Sequence, residues 1–249
     1  MKWQGLPQNF ELNPHHISLW RLSLKAGSFS QLPFAAILSL EEKKRAHRYH
    51  FEQDRICFAY FRGCLRILLG QYLNRRPESL EILENAFGKP LLKLLSGEPA
   101  IFFNLSHSEN VGVLALNPQS EVGVDVEKLQ ERTDGEGIAK RYFSPAEQKF
   151  LNQCPPSERQ KTFFQLWTRK EAYLKALGKG FSKNLNGFQV VDEKGRFLER
   201  IQDLEGGGGN WEVSAFEVFP HYIGALVFPS PAKIIHYFEG SSLEELQNL

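Results

Sequence analysis

Two Ser-x-x-Glu signatures constrain this chain more than any other feature. Ser39 is followed three residues later by Glu42, and Ser144 by Glu147, with Pro145 at the first helical position. Each reads as a capping box, in which the serine hydroxyl and the glutamate carboxylate satisfy amides that a helix start leaves open. What surrounds the two starts is also alike. An alternating strand precedes each, at residues 17–24 and 121–127. A long helical stretch follows each. Residues 54–69 carry Cys57, Phe61, Leu65 and Leu68 at a spacing of three to four, continued by Tyr72 just beyond, which predicts one buried face. Residues 159–177 carry Phe163, Trp167, Leu174 and Leu177 in the same way. Gly70 is the expected cap of the first, and Gly178-Lys179-Gly180 ends the second. Two strands then close each half, 101–105 with 111–116, and 211–219 with 222–228.

Smaller echoes accompany this order. Leu-Leu-Gly ending at Gly70 parallels Ala-Leu-Gly ending at Gly178, and Val111-Gly112-Val113-Leu114 parallels Ile223-Gly224-Ala225-Leu226. A period above about 100 residues is too long for a solenoid. The expectation is therefore a pseudo-dimer of two similar α+β domains, 1–118 and 119–249, with a ligand cleft between them.

Composition narrows the partners. Lys and Arg total 30 against 29 Asp and Glu, so the net charge of +1 gives no bulk attraction for nucleic acid. No apolar run approaches the ~20 residues of a membrane span, and residues 1–13 lack a signal-peptide core. Neither a nucleic-acid nor a membrane partner is expected. Cys57, Cys64 and Cys154 are odd in number and unpatterned, which fits free thiols in a reducing cytoplasm and offers no zinc motif. The Gly206–Gly209 run lacks the Lys-Ser/Thr ending of a phosphate loop and reads as a hairpin tip.

The chemistry concentrates in three places. Asp125 and Glu127 lie two apart on a strand and so share a face, where a hard divalent cation such as Mg²⁺ would relieve their repulsion. A solvated surface pair is the alternative. On the long helix, Glu171 and Lys175 share a face with Trp167 one turn before them. Glu171 there would serve as a third metal ligand or a general base, or simply as half of a surface ion pair. Lys170 and Lys175 would stabilise phosphate charge. Ser106-His107-Ser108 is expected in a loop at a strand end, offering hydroxyl and imidazole donors, or forming only a polar turn.

Taken together, Gly88-Lys89-Pro90, Phe103-Asn104-Leu105-Ser106-His107-Ser108, Gly123-Val124-Asp125-Val126-Glu127-Lys128, Phe143-Ser144-x-x-Glu147 and Trp167-Thr168-x-Lys170-Glu171-Ala172-Tyr173-x-Lys175-Ala176-x-Gly178-x-Gly180 resemble the Sfp-type 4′-phosphopantetheinyl transferases. The resemblance runs over residues 41–228. It implies the fold of that family, two α+β halves with coenzyme A in the cleft. It implies transfer of the phosphopantetheine arm of coenzyme A to a serine of an apo acyl or peptidyl carrier protein, releasing 3′,5′-ADP. Asp125, Glu127 and Glu171 would then hold Mg²⁺. Glu171 would also be the base, and Lys175 would neutralise the pyrophosphate. Ser106 and His107 would meet the 3′-phosphate side, with Lys89 and Arg45 helping on the nucleotide.

Residues 132–142 are the expected carrier-docking segment. Gly135 and Gly137 lend it flexibility, and Lys140, Arg141, Tyr142 and Phe143 offer charge and apolar contact. A duplicated chain already supplies its own cleft, so a monomer is expected. Two other functions use the same residues: a metal-dependent hydrolase of coenzyme A or a nucleotide diphosphate, and a non-catalytic coenzyme A-binding module.

Overall fold

The computed structural model describes residues 2–25, 34–130, 134–178, 184–206, 209–231 and 233–240. Their contacts gather into two compact units. The described residues among 1–83, 90–119 and 234–249 form the first, and those among 84–89 and 120–233 form the second.

In the first unit, β1 (His16–Ser23) leads through α1 (Phe34–Ile37) to α2 (Leu40–Arg48) and α3 (Glu52–Leu73). A small two-stranded sheet follows, β2 (Ile82–Glu84) with β3 (Pro90–Leu92), and then the antiparallel hairpin β4 (Phe102–Ser108) and β5 (Val111–Asn117). β5 pairs antiparallel with β1. The capping box at Ser39 forms as expected, with both reciprocal bonds present. Burial of α3 exceeds the expected single face: residues 57–70 are all buried. Gly70 does not cap it. The helix runs one turn further, and Asn74 caps it in the left-handed conformation at φ 52°, which Asn tolerates. A glycine stands at position 70 because the chain doubles back there. A Cβ would lie 2.6 Å from the Arg75 carbonyl oxygen.

The second unit repeats the order. β6 (Gly123–Lys128) is followed by α4 (Gly135–Tyr142), α5 (Pro145–Gln153) and α6 (Pro156–Leu177). Then come β7 (Phe188–Val191), β8 (Phe197–Asp203), β9 (Trp211–Phe219) and β10 (Tyr222–Pro229) in an antiparallel sheet of order β6-β10-β9-β8-β7. Ser144 and Glu147 complete the second capping box. Gly178 caps α6 at φ 62°, as the sequence predicts, while Lys179 and Gly180 lie outside the described residues. The glycine run has Gly206 and Gly209 at positive φ between β8 and β9, and residues 207 and 208 lie outside the described set. The last strand, β11 (Ile234–Gly240), runs parallel to β1 and extends the first sheet to β11-β1-β5-β4. It is an element beyond those expected from the sequence.

Both units are α+β and share a topology: strand, capping-box helix, long helix, two strands, then a hairpin whose second strand pairs with the first strand. α3 and α6 have 22 residues each, and α2 and α5 have nine. The deepest correspondence is ionic. Arg66 and Lys170 are each the fifteenth residue of their long helix. Arg66 Nε donates to the capping-box Glu42 at 2.7 Å, and Lys170 Nζ donates to the capping-box Glu147 at 2.7 Å. Two of the smaller sequence echoes align differently in space. Counted from the helix starts, Gly178 corresponds to Asn74, not Gly70. Gly112 faces α3, where the Phe61 ring fills the space of a Cβ. Gly224 instead lies under the Phe216 ring, which a Cβ would approach to 2.6 Å.

Lys170 and Glu147 are completely buried. Lys170 also donates to Phe188 O at 2.8 Å, and Glu147 accepts from Val190 N at 2.9 Å. Removing one member of such a pair strands the other charge. Lys170→Met is expected to cost about 3–5 kcal/mol in urea unfolding. A loss under about 1 kcal/mol would show that the pair does not organise the second unit.

Candidate active site

The close packing of β6 on α6 builds this site. Gly123 has no side chain, and a Cβ there would run into the Ala172 carbonyl and the Ala176 amide. The small residues Gly123, Ala172 and Ala176 therefore let strand and helix backbones approach. Two residues along β6, on the same face, stands Asp125, 3% exposed. Its Oδ1 accepts from Lys175 Nζ at 2.5 Å. Glu171, one turn before Lys175, is half-buried on the same helix face. Glu127, the next residue on that strand face, is also half-buried. Trp167 precedes Glu171 by a turn and stacks on Phe163 at 6.2 Å between ring centroids.

Burial and neighbouring charge act together on Glu171. Desolvation comes first, then the Asp125 carboxylate, with Lys175 opposing and Glu127 adding to the rise, and its carboxyl is pushed up to about 7. Glu171 Oε1 is buried and has no hydrogen-bond partner among the described residues. This is a hard-oxygen donor set of the kind a divalent cation takes. Among the described residues, however, no three His, Cys, Asp or Glu side chains converge as a ready-made metal site. Lys175 supplies the positive charge that Asp125 meets in this structure.

The remaining sequence candidates fall elsewhere. Lys170 faces away from this cluster and is sealed against Glu147, which removes it as a phosphate ligand. Lys89 is 8% exposed and is ion-paired with Glu121. Ser106-His107-Ser108 is not a loop: it is the end of β4, and the turn is Glu109-Asn110, with Glu109 at φ 49°. Strand alternation buries Ser106 and exposes His107, whose ring stacks on Phe61 at 4.9 Å. Arg45 is exposed, with its guanidinium 5.4 Å from the Phe58 ring centroid. The expected docking segment is largely the helix α4, started by Asp134, whose carboxylate accepts from Gly137 N at 3.0 Å. Gly135 and Gly137 are thus helical. Lys140 and Arg141 are exposed, but Phe143 is 1% exposed and offers no surface contact. Arg132 lies outside the described residues. Sequence reasoning missed Gly123 as the close-packing residue and Glu121 as the partner of Lys89. The Gly-x-Asp-x-Glu alternation carried the first signal, since a glycine on the carboxylate face of a strand marks a close approach.

No helix among the described residues is long and apolar enough to cross a membrane. Residues 121–227 match the family model described as the 4′-phosphopantetheinyl transferase superfamily. Residues 27–119 match the one described as 4′-phosphopantetheinyl transferase, N-terminal. Among individual proteins, the chain is 40% identical over 181 residues to the 4′-phosphopantetheinyl transferase HetI of Nostoc sp., covering 73% of this chain and 76% of that one. It is 33% identical to the 4′-phosphopantetheinyl transferase psf-1 of Bacillus pumilus, over 80% of this chain and 82% of that one. It is 26% identical to the 4′-phosphopantetheinyl transferase Sfp of Bacillus subtilis, over 81% of this chain and 91% of that one.

A raised carboxyl makes a signed prediction about stability. The unfolded chain ionises Glu171 near 4.5 and the folded chain near 7. The folded state therefore holds the extra proton in that window, and stability falls as pH rises through it. In metal-free buffer, Glu171→Gln should match wild type at pH 4 and exceed its stability at pH 8 in urea unfolding. Equal stability at both pH values would contradict the assignment.

Proposed function

Since this chain belongs to the 4′-phosphopantetheinyl transferase superfamily, we propose that it moves the 4′-phosphopantetheine arm of coenzyme A onto a serine hydroxyl of an apo acyl or peptidyl carrier protein, with Mg²⁺, releasing 3′,5′-ADP. The observation that carries this reading is the carboxylate cluster. Glu171 lies within electrostatic reach of both Asp125 and Glu127, beside Lys175, at the packed contact of β6 and α6, inside the region that matches the superfamily.

The chemistry asks little covalent help of the protein. Phosphoryl-type transfer depends on in-line positioning and on neutralising charge as it develops. The carrier serine oxygen bonds to the phosphorus of the pantetheine phosphate. The P–O bond of the pyrophosphate breaks, and 3′,5′-ADP leaves with the electron pair. The serine proton needs an acceptor, and Glu171 suits that role. Burial and the Asp125 carboxylate push this carboxyl up to about 7 in the metal-free protein, and a bound Mg²⁺ would favour the ionised form that a base requires. Lys175, 30% exposed at its side chain, can turn from Asp125 toward the pyrophosphate and offset its charge. Asp125, Glu127 and Glu171 would hold Mg²⁺ as oxygen ligands. The bound ion would supply the positive charge that lets these carboxylates and a pyrophosphate share one place.

Ser106 and His107 at the end of β4 and Arg45 on α2 remain the proposed contacts for the nucleotide side of coenzyme A. Lys140 and Arg141, exposed at the end of α4, are the proposed contact for an acidic carrier surface. We further read the protein as a cytoplasmic monomer. Three free cysteines support a reducing compartment.

The test is direct. The protein, coenzyme A, Mg²⁺ and an apo-carrier are incubated, and intact mass should show one added phosphopantetheine arm. Asp125→Ala should abolish the transfer while leaving the protein folded by circular dichroism. Release of 3′,5′-ADP with no carrier present would point instead to hydrolysis. Coenzyme A binding with no transfer to any of several carriers would leave a binding module. Separately, reversing charge at Lys140 and Arg141 should raise the apparent KM for carrier and leave coenzyme A binding unchanged. Unaltered carrier kinetics would remove α4 from the docking surface.

A further inference from the structure

The end of α6 is held from outside the helix. The last carbonyls of any helix lack amide partners within it, and they form its negative pole. Two side chains from the hairpin tip 84–89 meet them here. Asn85 Nδ2 donates to Gly178 O at 2.8 Å. Lys89 Nζ lies 3.5 Å from Ala176 O and 3.3 Å from Val122 O, and it is ion-paired with Glu121. Those three acceptors match the three donors of an ammonium group. The tip itself is rigidly built. Asn85 Oδ1 accepts from Phe87 N at 2.8 Å and from Lys89 N at 3.0 Å, and Gly88 makes the turn at φ 81°. The stem of Lys89 also packs on the cap, so that a Cβ on Gly178 would lie 3.2 Å from Lys89 Cδ.

We propose that Lys89 and Asn85 are positioning residues: they clamp the last turn of α6 to the start of β6 and so hold Lys175 against Asp125. The proposal rests on the transferase reading given above. Its logic is spatial. Val122 immediately precedes β6, and Ala176 immediately follows Lys175, so one ammonium ties together the two segments that carry the reacting charges. A lysine committed to a glutamate and two carbonyls has no donor left for a phosphate of coenzyme A. Asn85 acts on the same turn without any charge, which separates clamping from charge neutralisation.

Lys89→Met keeps the stem and removes the donors, and Asn85→Ala removes the neutral donor. Amide hydrogen exchange at residues 175–178 should quicken about tenfold in each variant. In transfer kinetics kcat should fall about tenfold while KM for coenzyme A moves less than about twofold. Lys89→Arg should restore most of the exchange protection and most of kcat. A raised KM for coenzyme A with kcat retained, or unchanged exchange at residues 175–178, would overturn the proposal and leave Lys89 as a direct phosphate ligand or a bystander. Should Lys89→Met fail to fold, Asn85→Ala and Glu121→Gln carry the same measurements. Should wild type transfer no arm at all, the transferase reading falls. The clamp is then decided by amide exchange alone.

Discussion

A buried glutamate sits at the start of a helix in each unit, and a cation from a longer helix meets it. This pairing is what the rest of each unit depends on. Removing two charges from water costs several kcal/mol per ion, and only full satisfaction offsets it. Glu147 meets that demand with Ser144 N, Val190 N and both contacts from Lys170. Glu42 meets it less completely: Ser39 N and Arg66 both bond Oε2, Oε1 has only the Arg62 guanidinium at 3.6 Å among the described residues, and Arg66 also donates to Pro77 O and Leu80 O. Such a pair does more than hold two helices together. Successive helix residues are about 100° apart around the axis, so fixing Lys170 on one side of α6 fixes the direction of every neighbour. With Lys170 turned to α5 and β7, Glu171 and Lys175 are turned to β6.

The two units use this frame differently. The counterparts of Glu171 and Lys175, at the sixteenth and twentieth positions of α3, are Ile67 and Gln71. The face of β1 that packs on α3 carries Trp20 and Leu22, both fully buried, where β6 carries Gly123 and Asp125. The first unit thus keeps the ionic pin and fills the adjoining space with apolar bulk. The second keeps the pin and draws strand and helix together by reducing a strand residue to glycine and helix residues to alanine. Charge can then occupy a packed interior because the strand and helix carrying it cannot rotate or separate. The overall balance of charge, +1, hides this arrangement.

Much of this was legible from residue order, and the reasons are local. Capping boxes, a glycine cap at Gly178, and the shared faces of Asp125 with Glu127 and of Glu171 with Lys175 all follow from geometry within a few residues. What misled were residues whose roles depend on distant partners. Lys170 is adjacent to Glu171 and reads as one more phosphate cation. Only the fold shows it sealed against Glu147, 23 residues away. Gly70 reads as a helix stop, yet it is a helix residue that makes room for the returning backbone at Arg75. Ser106-His107-Ser108 reads as a loop because its residues are polar. Pairing with β5 makes it a strand, since His107 registers against Gly112 and Ser108 against Val111. β11 carries the β-branched and aromatic residues Ile234, Ile235, Tyr237 and Phe238 of a strand, but its pairing with β1 had no local signal, because the partner strand lies more than 200 residues earlier.

The same contrast explains why the carboxylate cluster is unfavourable and yet persists. A buried carboxyl with another carboxylate beside it, as at Glu171, costs stability above its raised ionisation point. Left to itself, such a group would turn outward or loosen the strand from the helix. It cannot turn outward while Lys170 holds the axial rotation of α6, and it cannot separate while Gly123 is seated on Ala172 and Ala176. The Lys175–Asp125 pair offsets part of the repulsion. The remainder is free energy that an incoming cation would relieve. Strain held in place by an unrelated ion pair is available for binding, and that places the functional demand on the frame rather than on the cluster itself.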